Sequence, residues 1–300
     1  MKKAHDDGIW SVNWTKNTNK IITGSLDDKI KIWNGDHFSI ITSLSGHSLG
    51  IVSISSSASG YEFASVSLDN QLRIWDLKLT IPAIIQVINA GPAEAWKVAY
   101  SPDGKYVATS NHSGSINIWS VVNGIKKTTF TSKGSFGMSI AYSPNGTMLA
   151  LGTENGTVYL FDAVFGNLKS TFKNHKKPVR AVAFSEDSTY LASGSDDNDI
   201  MLYDLSLTKP ACLCTLKGHT SWVLSLAFSP DGFHLASGSS DKTVKIWNID
   251  AKCCVHTFDD HSDQVWGVDY NPDGLKLVSV AEDGTMIIHR TSNQSATPRI

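Results

Sequence analysis

The sequence repeats one pattern of short segments every 42 to 44 residues. The clearest copy runs GHTSWVLSLAFSPDG from 218 to 232 and continues as GSSDKTVKIWN from 238 to 248. Aligned on one histidine slot, the copies begin at positions 5, 47, 91, 133, 175, 219 and 261. Seven copies with no linker between them indicate a single repeat domain, because each unit of such an array buries its faces only against its neighbours.

Each copy reads as four short strands separated by turns. Turns related to SPDG recur at Ser101, Ser143, Ser185, Ser229 and Asn271, and the runs between turns are rich in β-branched and aromatic residues. A repeat of this length, with Gly-His near one end and Trp near the other, is typical of a propeller blade. The sequence therefore predicts an all-β protein, a seven-bladed WD40-type β-propeller with four-stranded antiparallel blades. The predicted repeats span approximately 5–46, 47–90, 91–132, 133–174, 175–218, 219–260 and 261–290, before a polar tail at 291–300.

Neither end of the sequence contains an obvious strand to complete the last blade. Only Met1, Lys2 and Lys3 precede Ala4, and the tail 291–300 is polar and contains Pro298. A propeller usually closes by pairing a strand from one terminus with the last blade. We therefore expect a seventh blade of three strands with an open edge and a lowered stability, through a truncated start or a divergent gene; the alternative is that the tail pairs there despite its polar composition.

Composition excludes several classes of function. The hydrophobic fraction of 41% is normal for a soluble protein, and a net charge of −2 provides no field that would favour direct nucleic-acid binding. The sequence shows no signal peptide and no apolar run long enough for a bilayer, so no membrane association is expected. Its four cysteines form no CxxC pair, which argues against zinc and favours a reducing compartment.

A histidine, a hydroxyl, an acid and a tryptophan recur at constant spacing in three copies. The hydroxyl lies four residues before the acid, and the acid lies six residues before the tryptophan. One such set would resemble a Ser-His-Asp triad. Three sets favour a structural relay of hydrogen bonds, because a buried polar group left unpaired costs about 1–3 kcal/mol. The predicted relay residues are His5, Thr23, Asp27 and Trp33, then His47, Ser65, Asp69 and Trp75, then His219, Ser237, Asp241 and Trp247.

The relay weakens around the ring. Copy five has Tyr203 in the tryptophan slot, and copy seven has His289 there. Copy three keeps only Thr109 and Trp119. Copy four has lost the relay, since its four slots hold Lys133, Leu151, Asn155 and Phe161. We therefore expect blade 4 to depend on apolar packing and to be the least stable interior blade.

Apart from the relay sets, which resemble Ser-His-Asp triads, the sequence contains no recognisable catalytic motif. The sequence contains no Gly-rich phosphate loop, no HExxH and no GxSxG. The protein is therefore predicted not to be an enzyme, with no catalytic residues, no cofactor and no metal. What remains is a surface for binding.

The first strand of each blade is expected to line the central channel, starting at the face that carries the histidine loops. Positions three and five residues after the histidine slot then surround the channel mouth, a surface called the rim below, and they include four of the nine tryptophans. Clustered aromatic residues flanked by charge are typical of protein-binding hot spots, although such rings would also serve as a plug. The predicted partner-binding residues are Trp10, Leu26, Leu68, Trp96, Phe136, Arg180, Trp222 and Trp266.

Several segments are more specific than the general repeat. They include AHDDGIWSVNW from 4 to 14, INAGPAEAWKVAYSPDGKYVAT from 88 to 109 and CVHTFDDHSDQVWGVDYN from 254 to 271. With these segments the chain resembles, over residues 4 to about 290, the family of WD-repeat subunits of the superkiller (Ski) complex, animal type.

That resemblance implies a scaffold without enzymatic activity. Members of the family join a tetratricopeptide-repeat subunit and a DExH-box RNA helicase, in an assembly that feeds RNA 3′ ends to the cytoplasmic exosome during mRNA decay. The resemblance also implies a nuclear association with the RNA polymerase II-associated factor complex, in transcription elongation and histone modification. The expected locations are thus cytoplasm and nucleus, and the rim is the expected docking face.

Another kind of WD40 adaptor is the alternative function. A ubiquitin-ligase substrate receptor and a histone-peptide reader both use propellers of this type. A histone reader would need an acidic or aromatic cage at the channel mouth, to which four carboxylates could contribute: Glu94, Glu154, Asp196 and Glu282.

Overall fold

The computed structural model describes residues 2–79, 82–92, 94–132 and 134–291. Lys133, which occupies the histidine slot of copy four, and residues 292–300 of the predicted polar tail lie outside the described residues. None of the described residues belongs to a helix that could span a bilayer.

The described residues form 28 strands in seven four-stranded antiparallel sheets. A two-residue strand, β1 (Lys2–Lys3), comes first. Blade 1 then consists of β2 (Ile9–Trp14), β3 (Lys20–Ser25), β4 (Ile30–Asn34) and β5 (Ile40–Leu44). Blade 2 consists of β6 (Ile51–Ser56), β7 (Glu62–Ser67), β8 (Gln71–Asp76) and β9 (Ala83–Asn89). Blade 3 consists of β10 (Val98–Tyr100), β11 (Tyr106–Ser110), β12 (Ser115–Ser120) and β13 (Lys126–Thr131).

The remaining blades continue in the same order. Blade 4 consists of β14 (Gly137–Tyr142), β15 (Met148–Thr153), β16 (Val158–Asp162) and β17 (Leu168–Phe172). Blade 5 consists of β18 (Val179–Phe184), β19 (Tyr190–Ser195), β20 (Ile200–Asp204) and β21 (Ala211–Leu216). Blade 6 consists of β22 (Val223–Phe228), β23 (His234–Ser239), β24 (Val244–Asn248) and β25 (Cys253–Phe258). Blade 7 consists of β26 (Val265–Tyr270), β27 (Lys276–Ala281), β28 (Thr285–Arg290) and the N-terminal β1.

The first strand of each blade, called its inner strand, faces a central channel. Neighbouring inner strands contact one another in chain order, and β26 contacts β2, so the blades close into a ring. The predicted seven-bladed β-propeller is confirmed. Apolar packing lies between neighbouring blades rather than at one common centre. In one such cluster, Ile22 and Ile32 of blade 1 pack with Ile51, Phe63 and Trp75 of blade 2.

Glycines in the second strands allow neighbouring blades to approach closely. A Cβ added at Gly194 of β19 would lie 2.5 Å from Cγ1 of Val223, the first residue of the next inner strand. In blade 3 the same slot holds Ser110, and there the facing inner-strand residue is Gly137 instead. In both of these seams a glycine on one side leaves room for the residue on the other, as close packing requires.

The N-terminal strand β1 completes blade 7. Lys2 pairs with Met286 of β28, and Lys3 pairs with Thr285. The Lys2 ammonium lies 4.7 Å from the ring centre of Trp33. The expectation of a three-stranded seventh blade is therefore wrong. Two lysines have no apolar strand pattern, and their pairing is made by backbone groups that any residue other than proline carries.

Candidate functional site

The inner strands bulge at the positions that the sequence places at the rim. In β2 the register with β3 shifts between Ile9 and Ser11, so Trp10 stands out of the ladder. Such a bulge redirects its side chain away from the regular alternation of a strand. The bulged positions are Trp10, Val52, Met138, Arg180, Leu224 and Trp266. Four of them, Trp10, Arg180, Leu224 and Trp266, line the channel.

Two rim tryptophans from blades 7 and 1 stack on each other. The ring centroids of Trp10 and Trp266 are 4.9 Å apart, and the ring planes are inclined by 26°. The indole N–H of Trp10 donates to the carboxylate of Glu282 at 2.9 Å. The indole nitrogen of Trp266 is buried without a hydrogen-bond partner among the described residues. The pair is thus an oriented aromatic platform with one unpaired donor.

A second aromatic group joins blades 3 and 4. Trp96 lies just before β10, and its backbone N–H donates to the carbonyl of Ser110 at 2.8 Å. Its ring centroid is 5.3 Å from that of Phe136, in an edge-on arrangement. The imidazole of His112 lies 4.5 Å from the same phenylalanine ring. Edge-on contacts of this kind are favourable because the positive edge of one ring meets the negative face of the other.

Arg180 organises a third group between blades 5 and 6. Its guanidinium donates two hydrogen bonds to the buried carboxylate of Asp196, with Nε–Oδ1 at 2.5 Å and Nη2–Oδ2 at 2.9 Å. The guanidinium carbon also lies 4.8 Å from the ring centre of Trp222, whose side chain is 41% exposed. The two-point contact holds the guanidinium in one orientation for a cation–π contact.

The two predicted leucines lie in the loops between the second and third strands of blades 1 and 2. Leu26 is half-buried next to Gly50, and its N–H donates to the carbonyl of Gly8 at 2.9 Å. Leu68 is exposed, and its N–H donates to the carbonyl of Gly50 at 3.0 Å. Both leucines therefore sit at the same end of their blades as the bulges, outside the three groups above.

A lysine in the channel went unpredicted. Lys97 lines the channel together with Arg180, and its ammonium donates to the carbonyl of Val52 at 3.3 Å. Burial, followed by the charge of Arg180, lowers the pKa of Lys97 to about 8. The sequence could have indicated this lysine, because its position, six residues after the histidine slot, holds serine in four other blades: Ser11, Ser53, Ser139 and Ser225.

A second unpredicted charge joins the last blade to the first. The carboxylate of Asp269 in β26 accepts hydrogen bonds from the backbone N–H of Trp14 at 2.6 Å and from the side-chain amide of Asn13 at 3.0 Å. Burial raises the pKa of Asp269 to about 6, against these hydrogen bonds, which lower it. At neutral pH the ionised Asp269 carboxylate therefore lowers the free energy of unfolding.

We expect Asp269→Asn to stabilise the protein at pH 7.5 by about 1–2 kcal/mol, since the amide oxygen can accept both hydrogen bonds without a charge. A carboxyl whose pKa is raised by folding binds its proton more tightly in the native state. Its contribution to stability therefore falls as pH rises from about 4, the ordinary Asp value, to about 6. The melting temperatures of variant and wild type should converge at pH 4. An equal difference at both pH values would contradict this explanation, and Asp259→Asn on the exposed surface is the matched control.

The predicted relay residues are hydrogen-bonded to one another in blades 1, 2 and 6. In blade 6 the Nδ1 of His219 lies 2.8 Å from Asp241, its Nε2 lies 2.6 Å from the Ser237 hydroxyl, and the Trp247 indole donates to that hydroxyl at 2.8 Å. In blades 1 and 2 burial lowers the pKa of His5 and His47, despite their aspartate partners. A neutral imidazole satisfies the whole set, because it donates from Nδ1 and accepts from the hydroxyl at Nε2.

Blade 7 departs from the predicted relay, and blade 3 keeps only the two relay residues predicted for it. In blade 7 the Thr285 hydroxyl stands between the histidine and the acid, 3.1 Å from His261 Nδ1, while Asp283 is 3.8 Å away. In blade 3 the Trp119 indole still donates to Thr109 at 2.9 Å, but the hydroxyl donates to the carbonyl of Glu94 at 3.3 Å. A backbone acceptor thus replaces the missing histidine.

Three of the four carboxylates proposed for a histone cage already have partners. Glu94 accepts hydrogen bonds from two asparagine amides, Asp196 pairs with Arg180, and Glu282 accepts from Trp10. Glu154 is exposed. Among the residues that the structure describes, no cluster of His, Cys, Asp or Glu is arranged to hold a metal ion.

A closed ring of seven antiparallel blades with an aromatic channel mouth defines a propeller scaffold for protein interactions. The chain belongs to the WD40 family, described as "WD domain, G-beta repeat", whose profile matches residues 1–34, 38–76, 85–120, 126–162, 166–204, 210–248 and 252–290. WD40 propellers are generally scaffolds without enzymatic activity.

Curated relatives match part of the chain. WD repeat-containing protein SL1-17 of Schistosoma mansoni is 36% identical over 142 residues, which are 45% of this chain and 46% of that protein. WD repeat-containing protein VIP3 of Arabidopsis thaliana is 34% identical over 124 residues, 40% of this chain and 38% of that protein. Superkiller complex protein 8 of Dictyostelium discoideum is 33% identical over 100 residues, 32% of each. The chain thus spans less than half the length of each of these relatives.

Proposed function

We propose that this chain is the WD40 scaffold subunit of a superkiller-type (Ski) complex. In this role it binds a tetratricopeptide-repeat subunit and a DExH-box RNA helicase, and it supports exosome-mediated 3′-to-5′ mRNA decay in the cytoplasm. A nuclear pool associates with the RNA polymerase II-associated factor complex, in transcription elongation and histone modification. The chain contributes binding, and the assembly's other subunits contribute catalysis and contact RNA.

Two sequence relations support the assignment to this complex. The segments at 4–14, 88–109 and 254–271 resemble the Ski WD-repeat family. Superkiller complex protein 8 of Dictyostelium discoideum matches about a third of the chain at 33% identity.

The observation that carries the proposal is the oriented aromatic surface of the rim. The stacked pair Trp10 and Trp266 presents two partly exposed rings whose orientation is already fixed, so they have little freedom to lose on binding, and tryptophan is common in hot spots. Packing within a propeller does not demand tryptophan at these bulged positions, since blades 2 and 6 have Val52 and Leu224 there.

The rim also specifies the chemistry of a bound segment. An apolar side chain of the partner fits against the partly exposed faces of the tryptophan pair. The exposed ring of Trp222, held beside Arg180, provides a second contact. Partner segments with exposed apolar residues in an extended or loop conformation suit such a surface.

Trp96→Ala combined with Trp266→Ala is expected to weaken binding of the tetratricopeptide-repeat subunit by about 100-fold, because each ring is a candidate hot spot. The measurement is isothermal titration with the purified subunit, paired with affinity purification and mass spectrometry from cells. Circular dichroism establishes that the variant is folded. Phe233→Ala, which removes an exposed ring in a turn of blade 6, is the matched control and should bind normally.

Failure of the wild-type chain to recover Ski or elongation-complex subunits would refute the functional assignment. Recovery of these subunits by wild type and double variant alike would instead place the docking site elsewhere on the propeller.

A further inference from the structure

The turn that joins β16 to β17 in blade 4 exposes two large apolar side chains. Val164 is 71% exposed and Phe165 is 78% exposed. The turn is nonetheless ordered, because the side chain of Asp162 accepts hydrogen bonds from the backbone N–H groups of both residues at 2.9 Å. The N–H of Gly166 also donates to the Asp162 carbonyl at 3.0 Å. The two apolar side chains are therefore held outward by the fold.

The repeat provides an internal comparison for this turn. Val164 lies three residues after the tryptophan slot of its blade, and blade 3 also has a valine, Val122, at that position. In blades 1, 2, 5 and 6 the same position holds Asp36, Lys78, Ser206 and Asp250. The fold thus accepts polar residues in this turn, and packing within the propeller does not explain the two valines.

A groove lies beside this turn, between blades 3 and 4. It encloses about 580 Å³ and is lined by apolar and aromatic groups that include Tyr106, Phe130, Tyr142 and Val164. The turns after β10 and β14 form part of its wall. These turns follow the ends of the inner strands, whereas the rim lies at their beginnings, so the groove opens at the face opposite the rim.

The groove lining holds one lysine and one aspartate, Lys127 and Asp103, and Asp103 pairs with Lys105 at 3.8 Å. The ammonium of Lys127 lies 5.5 Å from the ring centre of Tyr106, and Lys126, next to the groove on the other face of blade 3, lies 5.6 Å from that of Trp119. Within the described part of the chain, neither ammonium has a carboxylate within 4.0 Å. By contrast, Lys169 on β17 pairs with Asp162 at 3.2 Å. Two cations above aromatic rings are thus available to a ligand.

We propose that this surface, the blade 3–4 groove, is a second docking site, for an acidic segment of a partner protein that inserts one apolar side chain. The apolar side chain packs against Phe130 and Val164 in the groove, with Phe165 extending the contact. A carboxylate that flanks it faces Lys127 in the groove, and a second one beyond the outer strand β13 faces Lys126. Because these charges are exposed, the interaction weakens with rising ionic strength. A partner here and a partner at the rim do not compete for the same face.

The test is a selection from displayed random 12-residue peptides against the full chain, after depletion on a Val164→Ser/Phe165→Ser variant. We expect the recovered sequences to share one aromatic or aliphatic residue flanked by Asp or Glu. A synthetic peptide of the dominant sequence, followed by fluorescence anisotropy, should lose about tenfold or more in affinity to that variant. The Lys126→Glu/Lys127→Glu variant should lose a similar factor.

Leu207→Ser is the matched control, since Leu207 is exposed in the corresponding turn of blade 5, in the slot that Phe165 occupies in blade 4. This variant should bind the peptide as the wild type does. Recovery of no peptide, or of basic peptides without an apolar residue, would overturn the proposal. So would tighter binding of a uridine 12-mer than of the peptide at the same lysines, or concentration-dependent dimerisation that the Val164→Ser/Phe165→Ser variant abolishes. None of these outcomes involves the rim, so the result is independent of the proposed function.

Discussion

We expect Asp241→Ala to lower the melting temperature of the protein by roughly 6 °C, from a loss of about 3 kcal/mol. Asp241 accepts hydrogen bonds from His219 at 2.8 Å, from the N–H of Thr220 at 2.9 Å, and from the N–H and hydroxyl of Thr243 at 3.0 and 2.6 Å. Alanine leaves these donors without their acceptor, and the buried imidazole is the most costly of them. Differential scanning calorimetry gives the shift directly.

The same variant carries a pH dependence of known sign. Burial opposes ionisation of Asp241, but the hydrogen bonds from His219, Thr243 and Thr220 together with the electrostatic interaction with His219 outweigh it, and they hold the pKa of this carboxyl well below its ordinary value. A pKa depressed by folding contributes stability that is present above about pH 4 and is lost as pH falls further. The gap between wild type and variant should therefore narrow below pH 4. Asp250→Ala, an exposed aspartate of the same blade, should show neither effect, and an unchanged melting temperature for Asp241→Ala would refute the structural relay.

Gly194→Val is expected to cost about 2 kcal/mol, although valine is the better strand former. The new Cβ would meet Val223 Cγ1 at 2.5 Å across the seam between blades 5 and 6, so the blades must separate or Val223 must leave its rotamer. Urea unfolding of the single variant measures this cost.

A second substitution in the same seam should restore the stability that Gly194→Val loses. Val223→Ala removes the clashing methyl group, and the double variant then resembles the natural seam in which Ser110 faces Gly137. We expect a favourable coupling of about 1–2 kcal/mol between the two substitutions. Strict additivity would show that the seam adapts by other means.

The fold was predictable because the sequence pattern of one blade recurs seven times along the chain. One period and one histidine slot set every blade, and the same offset located Trp10, Arg180 and Trp266 at the channel mouth. The bulge that turns these side chains out of the ladder was not predictable, since it leaves no residue type in common: tryptophan, valine, methionine, arginine and leucine all occupy it.

Features that occur in only one blade could not be predicted from the repeat. Lys97 and Asp269 lie in slots that hold mostly small residues in the other blades. Their pKa values are shifted because both side chains are buried in the channel, and the spacing of the repeat does not predict that burial. Thr285 comes between His261 and its acid through side-chain geometry alone. Strand β1 was missed because its pairing uses backbone groups, while the lysine side chains carry no apolar pattern.

The pairing of Lys2 and Lys3 with Thr285 and Met286 has a consequence for how the protein is made. On the ribosome, β1 emerges before all seven inner strands, and its partner β28 emerges after them. Blades 1 to 6 can stack in the order of synthesis, but the ring cannot close until β28 has left the exit tunnel. Contacts of such sequence separation form late because the loop they close is long. Until then the faces of blades 1 and 7 that meet across the final seam are uncovered, which makes this the stage most exposed to aggregation and most dependent on chaperones.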